Sequence, residues 1–283
     1  MPTAALPRTL SAPAKINLAL VVGPTRLEDG KHEVATVYQR VALADEVTLA
    51  DAPAVAAPGV AVDGFPGDTL VTRALEAVAA AAGATPAWRA RIEKRIPVAA
   101  GLGGGSADAA AALALANEAL GCPLPSGELH RIAATLGSDV PFFLAATPCL
   151  GTGDGADLEP LPALPLGYVI LLVRPHGAVK PSTGAIYRAF DERDGARGWE
   201  ERRAALLQAL ARVRAPRDLA ALPLNDLTSS PLAARMLQAG AFRADVTGAG
   251  PLLYGLFDDE AGAQAAASTL AGLGETWVTA PLP

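Results

Sequence analysis

Apolar and polar positions along the first third of the chain switch between two periods. From Thr9 to Val22, Ile16, Leu18, Leu20 and Val22 alternate with Lys15, Asn17, Ala19 and Val21, the period-two pattern of a half-buried strand. That pattern sets Lys15 and Asn17 on one face, opposite the apolar one. The turn Glu28-Asp29-Gly30 leads to a second strand from about His32 to Leu43, and a third is expected at Glu46 to Ala50. Residues 51–67, rich in Pro, Gly and Ala, read as loop with a short strand at Val60 to Val62. Helical spacing takes over from Thr69 to Ala82, where Leu70, Ala74, Leu75 and Val78 mark one face and Gly83 supplies the stop. Alternation returns at Trp88 to Arg95. A glycine-rich turn, Pro97 to Asp108, then opens an alanine-rich helix that ends at Leu120, before Gly121 and Pro123. Ser126 is expected to cap one more helix, through Leu136, with Gly137 as its stop.

The second half has a different rhythm. Gly151 to Gly155 is dense in turn residues and Leu158 to Pro165 holds three prolines, so a boundary is expected near 150–165. Tyr168 to Val173 is a continuous apolar run and hence a buried strand. Arg197 to Arg214 is a charged amphipathic helix followed by shorter helical stretches. Ala244 to Phe257 contains a glycine turn and a strand, Asp258 to Leu270 a helix, and Thr276 to Ala280 a last strand. Strand, helices, strand, helix, strand is the order of an α+β layer such as a ferredoxin-like split βαβ unit. No repeat of 20–50 residues is present.

Composition narrows the class. The 283 residues are 51% hydrophobic and 18% charged, enough for a sizeable core and too apolar for a disordered chain. A net charge of −6 argues against a general binder of nucleic acid or anionic membrane, although a local basic patch can still hold phosphates. Two cysteines, Cys122 and Cys149, make neither a disulfide framework nor a zinc site. Three histidines without His-x-x-x-His spacing argue against a metal cage, so no protein-held metal site is expected. The longest apolar run is only strand length, and Arg8 and Lys15 interrupt the short apolar N-terminal segment. A soluble cytoplasmic protein is expected. Only four of the 23 basic residues are lysines (Lys15, Lys31, Lys94 and Lys180), which draws attention to each.

The glycine-rich segment carries the strongest chemical signal. Gly101, Gly103, Gly104 and Gly105 leave the backbone free to take positive φ, so that successive N–H groups converge on an anion. The helix that starts near Ser106 adds its unsatisfied N–H groups and the positive end of its dipole. Neither the P-loop spacing nor the dinucleotide fingerprint G-x-G-x-x-G fits. Asp139, in Leu-Gly-Ser-Asp-Val-Pro, sits among apolar Val140, Phe142 and Phe143. It is either a helix or turn cap, or an ion-paired carboxylate able to take a proton from an alcohol. Lys15 is either a solvated edge-strand lysine or a cation that reaches a transferred phosphoryl group. Asp245 to Pro251 is a second glycine turn, which by itself is either a simple connection or a close backbone approach to substrate. His130, His176 and the two cysteines read as structural, and His32 alone as a surface or capping residue.

Together these segments have a specific order. Ala12-Pro-Ala-Lys-Ile-Asn-Leu18, Pro97-Val-Ala-Ala-Gly-Leu-Gly-Gly-Gly-Ser-Ala-Asp108 and Val246-Thr-Gly-Ala-Gly-Pro251 resemble the three signature regions of the GHMP kinase superfamily, which phosphorylates small alcohols with ATP. Asp29-Gly-Lys-His32, Lys94-Arg-Ile-Pro97 and Leu136-Gly-Ser-Asp-Val-Pro141 are similar to the branch whose acceptor is a cytidine diphosphate-linked polyol. The Gly-Glu-His segment of galactokinase-type and mevalonate-kinase-type members is missing.

The resemblance implies an α+β, two-lobed fold. Residues 1–155 would form an ATP-binding lobe like ribosomal protein S5 domain 2, and 156–283 a ferredoxin-like lobe, with the active site in the cleft between them. It further implies ATP, accompanied by Mg²⁺, on Pro97, Val98, Ala99, Ala100, Gly101, Leu102, Gly103, Gly104, Gly105, Ser106 and Ala107. Ser106 is the one protein oxygen assignable to the metal. Asp139 matches the base and Lys15 the catalytic lysine, which would hold Asp139 ionised. Asn17, His32, Lys94 and Thr183 match positions lining the substrate pocket, and Tyr187 matches an aromatic that stacks on cytosine. Gly248 and Gly250 belong to the third motif. Lys31 departs from the pattern, since an aromatic residue is usual there and a lysine does not replace a ring stack. Thr247 and Ala249 stand where serines are common. The expected partners are a small-molecule substrate and ATP, with no nucleic acid or membrane, in a monomer or homodimer. Lys31 keeps open a different alcohol, such as homoserine or a mevalonate derivative. A non-catalytic ATP-binding sensor would have no chemical need of Lys15 and Asp139.

Overall fold

The computed structural model describes residues 7–52, 59–65, 70–162, 164–179 and 181–283. The expected helix start at Thr69, part of the 51–67 loop, and Lys180 lie outside them. In chain order the elements are β1 (Arg8–Thr25), β2 (His32–Asp51), β3 (Gly59–Asp63), α1 (Leu70–Ala81), β4 (Ala87–Glu93), α2 (Gly104–Ala119), α3 (Ser126–Leu136), α4 (Val140–Leu144), β5 (Cys149–Thr152) and β6 (Asp157–Pro160). Then follow β7 (Val169–Pro175), α5 (Thr183–Glu192), α6 (Trp199–Arg212), α7 (Pro231–Gln238), β8 (Arg243–Val246), β9 (Leu253–Phe257), α8 (Glu260–Leu270) and β10 (Gly274–Thr279). They form two compact units interleaved in sequence. The first takes the chain up to Ala14, Leu43–Pro97 and Gly103–Ala146; the second takes Lys15–Ala42, Val98–Leu102 and Thr147–Pro283.

In the first unit, β4 runs parallel to β3 and antiparallel to the Glu46–Asp51 end of β2. Its alternation buries Trp88, Ala90 and Ile92 and leaves Arg89, Arg91 and Glu93 outside. Those apolar side chains meet α1, through Val71, Ala74, Leu75 and Val78, and α2. Most residues of α2 from Ala107 to Ala119 are buried, because alanine lets neighbouring backbones come close on several sides. Leu113 and Leu115 are fully buried within it, worth about 1.5–3 kcal/mol each relative to exposure.

In the second unit, β7, β8, β9 and β10 make an antiparallel sheet in the order β10-β7-β9-β8. α5, α6 and α7 connect β7 to β8, and α8 connects β9 to β10, as expected of a split βαβ layer. Leu171, Val173, Leu253 and Phe257 pack against Met236, Ala263, Ala266 and Leu270.

Several local expectations are corrected. The strands expected at His32–Leu43 and Glu46–Ala50 are one strand, β2. Asp45, at the expected break, is fully buried and accepts hydrogen bonds from the main chain of Arg95 and Ile96 at 2.5 and 2.8 Å. The turn residues Gly153 and Gly155 close a hairpin instead of a linker, with β5 paired to β6 from Cys149↔Pro160 to Thr152↔Asp157. Thr183–Glu192, which has no clear helical signature in sequence, forms α5, capped by the Ser182 hydroxyl on the Ala185 N–H and anchored by Ile186 and Phe190. Ser126 is not a cap: it already lies within α3, and Pro125 precedes it. Both faces of β1 are buried from Ala14 to Val22, so Lys15 and Asn17 sit on no solvated edge. Cys149 is buried as expected, whereas Cys122 is exposed.

Candidate active site

The second unit holds Lys15, Asn17, the Val98–Leu102 part of the first glycine turn and the whole of the second. Residues two apart on a strand share a face, and the Lys15 ammonium donates to Asn17 Oδ1 at 2.7 Å. It also lies 5.4 Å from the centre of the Tyr38 ring. Lys15 and Asn17 retain only 3% and 4% of their exposure, which removes the reading of a solvated edge lysine. The Asn17 side chain is engaged further. Its Nδ2 donates to Thr36 Oγ1 at 2.7 Å, and its Oδ1 accepts from the Thr247 hydroxyl at 3.3 Å. The Asn17 main-chain N–H donates to that same hydroxyl at 3.0 Å.

Gly101 stands against the third motif. A methyl group there would come within 2.6 Å of the Thr247 carbonyl oxygen, and its φ is +88°. Only glycine meets both demands. At Gly248 a methyl group would be 3.2 Å from the Gly101 carbonyl and 3.6 Å from Lys15 Nζ, so both glycine turns approach the lysine by their backbones. Asn225 fixes the third motif by donating to the Gly248 carbonyl at 2.7 Å and the Val246 carbonyl at 3.0 Å. Asp245 in turn accepts the Asn225 N–H at 2.9 Å. Burial pushes the Asp245 carboxyl up, against the pull of Arg243.

Positive φ recurs at every second residue, at Ala99 (56°), Gly101 (88°) and Gly103 (70°). This is the alternation by which successive N–H groups form an anion-binding concavity. Ala99 holds that conformation at a cost of about 1–2 kcal/mol, a strain the sequence did not reveal.

In the first unit, Gly103 precedes α2 without a capping side chain. The first helical bond runs from the Ala107 N–H to the Gly103 carbonyl at 2.8 Å, so the amides of Gly104, Gly105 and Ser106 precede the ladder. α2 therefore begins two residues earlier than expected. Behind it, Lys94 donates to Asp108 at 2.7 Å and to Asp45, both carboxylates being fully buried. Burial pulls the Lys94 ammonium down in pKa, but the bonds to Asp108 and Asp45 outweigh it and hold it above the usual lysine value. A methyl group on Gly104 would sit 3.4 Å from Lys94 Nζ, so this ion cluster backs the start of α2. Asp139 is half-buried, immediately before α4, and its side chain makes no capping bond there; Val140 and Phe142 beside it are fully buried. As an N-cap of α4 its side chain therefore contributes no bond.

His32 and Tyr187 come together in the second unit, ring centres 4.7 Å apart, with Phe190 5.8 Å from His32. His32 Nε2 lies 2.7 Å from Asp191 Oδ1. Thr183 opens α5 one turn before Tyr187, on the same side of the helix. Lys31 is half exposed and paired with Asp154 in the β5–β6 turn.

Sequence reading missed Thr36, Asp45, Asn225 and Asp191. Asp45 had a visible signal: Val41, Leu43, Asp45, Val47 and Leu49 share a period-two register, so its side chain falls on the inward face. Thr36 and Asn225 had none, because their partners lie far away in sequence.

Residues 69–147 match the model for the GHMP kinases N terminal domain. The chain is 39% identical to the 4-diphosphocytidyl-2-C-methyl-D-erythritol kinase of Salinispora arenicola, over 94% of this chain and 89% of that protein. It is also 39% identical to the kinase of that name from Pelobacter propionicus, over 96% and 97%. A crystal structure of 4-(cytidine 5'-diphospho)-2C-methyl-D-erythritol kinase superposes with a TM-score of 0.76 at 32% identity, covering 98% of this chain and all of the other. Glycine turns that leave their amides on offer, a buried lysine against both of them, and likeness over nearly the whole length agree: the chain belongs to the 4-diphosphocytidyl-2-C-methyl-D-erythritol kinase family of the GHMP kinases.

Proposed function

We propose that this protein transfers the γ-phosphoryl group of ATP to the 2-hydroxyl of 4-diphosphocytidyl-2-C-methyl-D-erythritol, giving the 2-phosphate and ADP. The reaction belongs to the non-mevalonate route to isoprenoid precursors. The observation that carries the reading is the buried Lys15 ammonium held against the backbone of Gly248, which itself touches Gly101. That arrangement sets a fixed positive charge beside amide-rich turns, in a chain of this family.

Phosphoryl transfer passes through a loose transition state, so positioning and charge neutralisation dominate. The amides of Gly101 to Ser106 hold the β- and γ-phosphates, and Lys15 neutralises charge on the transferred group. Asp139 takes the proton from the acceptor hydroxyl as its oxygen bonds to phosphorus. The bond to the β,γ-bridging oxygen breaks and ADP leaves with that electron pair. Tyr187 and His32 supply the flat surface for cytosine, with Thr183 on the same side of α5. Lys31, paired with Asp154, stands where a second ring is usual and supplies no stack. Lys94 serves the phosphate loop instead of the acceptor, because two buried carboxylates claim its ammonium.

Among the described residues no cluster of three or more His, Cys, Asp or Glu offers a metal cage. The Ser106 hydroxyl at the start of α2 is the protein oxygen that would face a magnesium ion brought by the nucleotide. Such an ion would add charge neutralisation at the β- and γ-oxygens. The match at 69–147 supports nucleotide binding within residues 1–155, while 156–283 supply Thr183 and Tyr187. No helix among the described residues is long and apolar enough to cross a membrane, and a cytoplasmic location is part of the proposal.

ADP release from ATP, Mg²⁺ and 4-diphosphocytidyl-2-C-methyl-D-erythritol tests the reading, with CMP as a competitor of the acceptor. Asp139→Asn should lower kcat by about 10²–10⁴, the range of a general base. Absence of turnover by folded, ATP-binding wild type would overturn the assignment.

A further inference from the structure

Lys15 is a long flexible side chain bearing a point charge, and its usefulness depends on where the ammonium is held. Asn17 Oδ1 holds it at 2.7 Å. An asparagine amide can face either way, however, and the reversed amide would point its NH₂ at the ammonium. The donor-only ammonium opposes that reversal, and a group on the far side of the amide can reinforce the choice.

The hydrogen-bond chain identifies that group. Thr36 Oγ1 lies 2.7 Å from the Ala19 carbonyl and 2.7 Å from Asn17 Nδ2. A carbonyl only accepts, so the single hydroxyl proton of Thr36 goes to Ala19. The Thr36 oxygen is then an acceptor toward Asn17, which requires the NH₂ of the amide on that side and turns Oδ1 toward Lys15. Thr247 closes the arrangement: its hydroxyl accepts the Asn17 main-chain N–H at 3.0 Å and donates to Oδ1 at 3.3 Å. Lys15, Asn17, Thr36 and Thr247 are all buried, where each mismatched donor or acceptor costs most.

We propose that Thr36 is a positioning residue of the reaction: by accepting from Asn17 Nδ2 while donating to Ala19, it locks the Asn17 amide with its oxygen toward the Lys15 ammonium. Asn17 on this account orients the lysine. The inference rests on the role of Lys15 proposed above.

Thr36→Val keeps the shape of the side chain and removes the acceptor. Asn17 Nδ2 then loses its acceptor, the amide is held only by the bonds from Lys15 and Thr247 to its oxygen, and the ammonium is placed less firmly. The expected result is a fall in kcat of about 10- to 100-fold, the cost of a small misplacement at a reacting centre, with KM for ATP and for the acceptor unchanged. Thr36→Ser retains the hydroxyl and should restore most of kcat. Thr36→Ala against Thr36→Ser makes the same comparison if the valine variant does not fold, since both lack the methyl group and only serine keeps the oxygen. Wild-type turnover in Thr36→Val, a serine variant as slow as the valine or alanine variant, or a KM that rises while kcat holds would each overturn the proposal. Lys15→Met, measured alongside, separates the two failures. If it is inactive while Thr36→Val is not, only the Thr36 proposal falls; if wild type itself shows no turnover, the functional reading falls and this inference with it.

Discussion

Lys15 and Lys94 are both largely withdrawn from water, and their surroundings differ in kind. Lys15 donates to the neutral amide of Asn17, which helps to place its ammonium. Lys94 is held by two fully buried carboxylates, Asp45 and Asp108, which more than cancel its charge. On the function proposed above, the first ammonium serves the transferred phosphoryl group. The second pins the segment leading into α2, with Asp45 also taking the N–H groups of Arg95 and Ile96. Sequence motifs mark both lysines alike; the bonds to Asn17 on one side and to Asp45 and Asp108 on the other distinguish their surroundings.

That contrast is open to direct attack, beginning with stability. Lys94→Met leaves Asp45 and Asp108 buried without their cation and should cost about 3–5 kcal/mol, read as a lower urea midpoint. An unchanged midpoint would break the account of this cluster. The pH dependence of the wild type has a defined sign. In wild type the raised Lys94 pKa means its contribution is held below the usual lysine value and lost as pH rises through the folded one.

Activity is the larger signal at the other lysine. Lys15→Met should lower kcat by about 10²–10³, as loss of one fixed electrostatic donor does, while the urea midpoint changes little. A smaller effect is expected from Gly101→Ala. The new methyl group meets the Thr247 carbonyl, in a backbone conformation unfavourable to alanine, at a cost of about 1–3 kcal/mol. It should appear chiefly as a raised KM for ATP in steady-state assays. Unchanged ATP binding would show that the loop does not carry the phosphates.

Much of the fold was legible because period and punctuation agree. The alternation of β4, the apolar face of α1 and the stop at Gly83 all appear where the pattern sets them. What failed was local composition read without its partners. A break was expected between Leu43 and Glu46, where β2 instead runs on; the turn residues at Gly151 to Gly155 lie in the β5–β6 hairpin. α5 rests on Ile186 and Phe190 meeting Leu20, Val22 and Val34, a long-range packing that no short window contains. At the site, order along the chain picked out Lys15, Asn17 and the two glycine turns; the second unit brings together Lys15, Asn17, Val98–Leu102 and the third motif. It could not show that Asn17 is committed to Lys15, Thr36 and Thr247, since those bonds join residues up to 230 positions apart. Nor could it show that Lys94 is claimed by acids 49 and 14 residues away.

The most direct test pairs Lys15→Met with Lys94→Met, measuring for each the urea midpoint and ADP release per folded molecule with ATP, Mg²⁺ and 4-diphosphocytidyl-2-C-methyl-D-erythritol. The account predicts a Lys15 variant as stable as wild type and nearly inactive. It predicts a Lys94 variant that is markedly less stable, whose folded fraction still turns over. A Lys15 variant that keeps its rate, or a Lys94 variant of full stability that loses it, would contradict the division of labour between the two lysines.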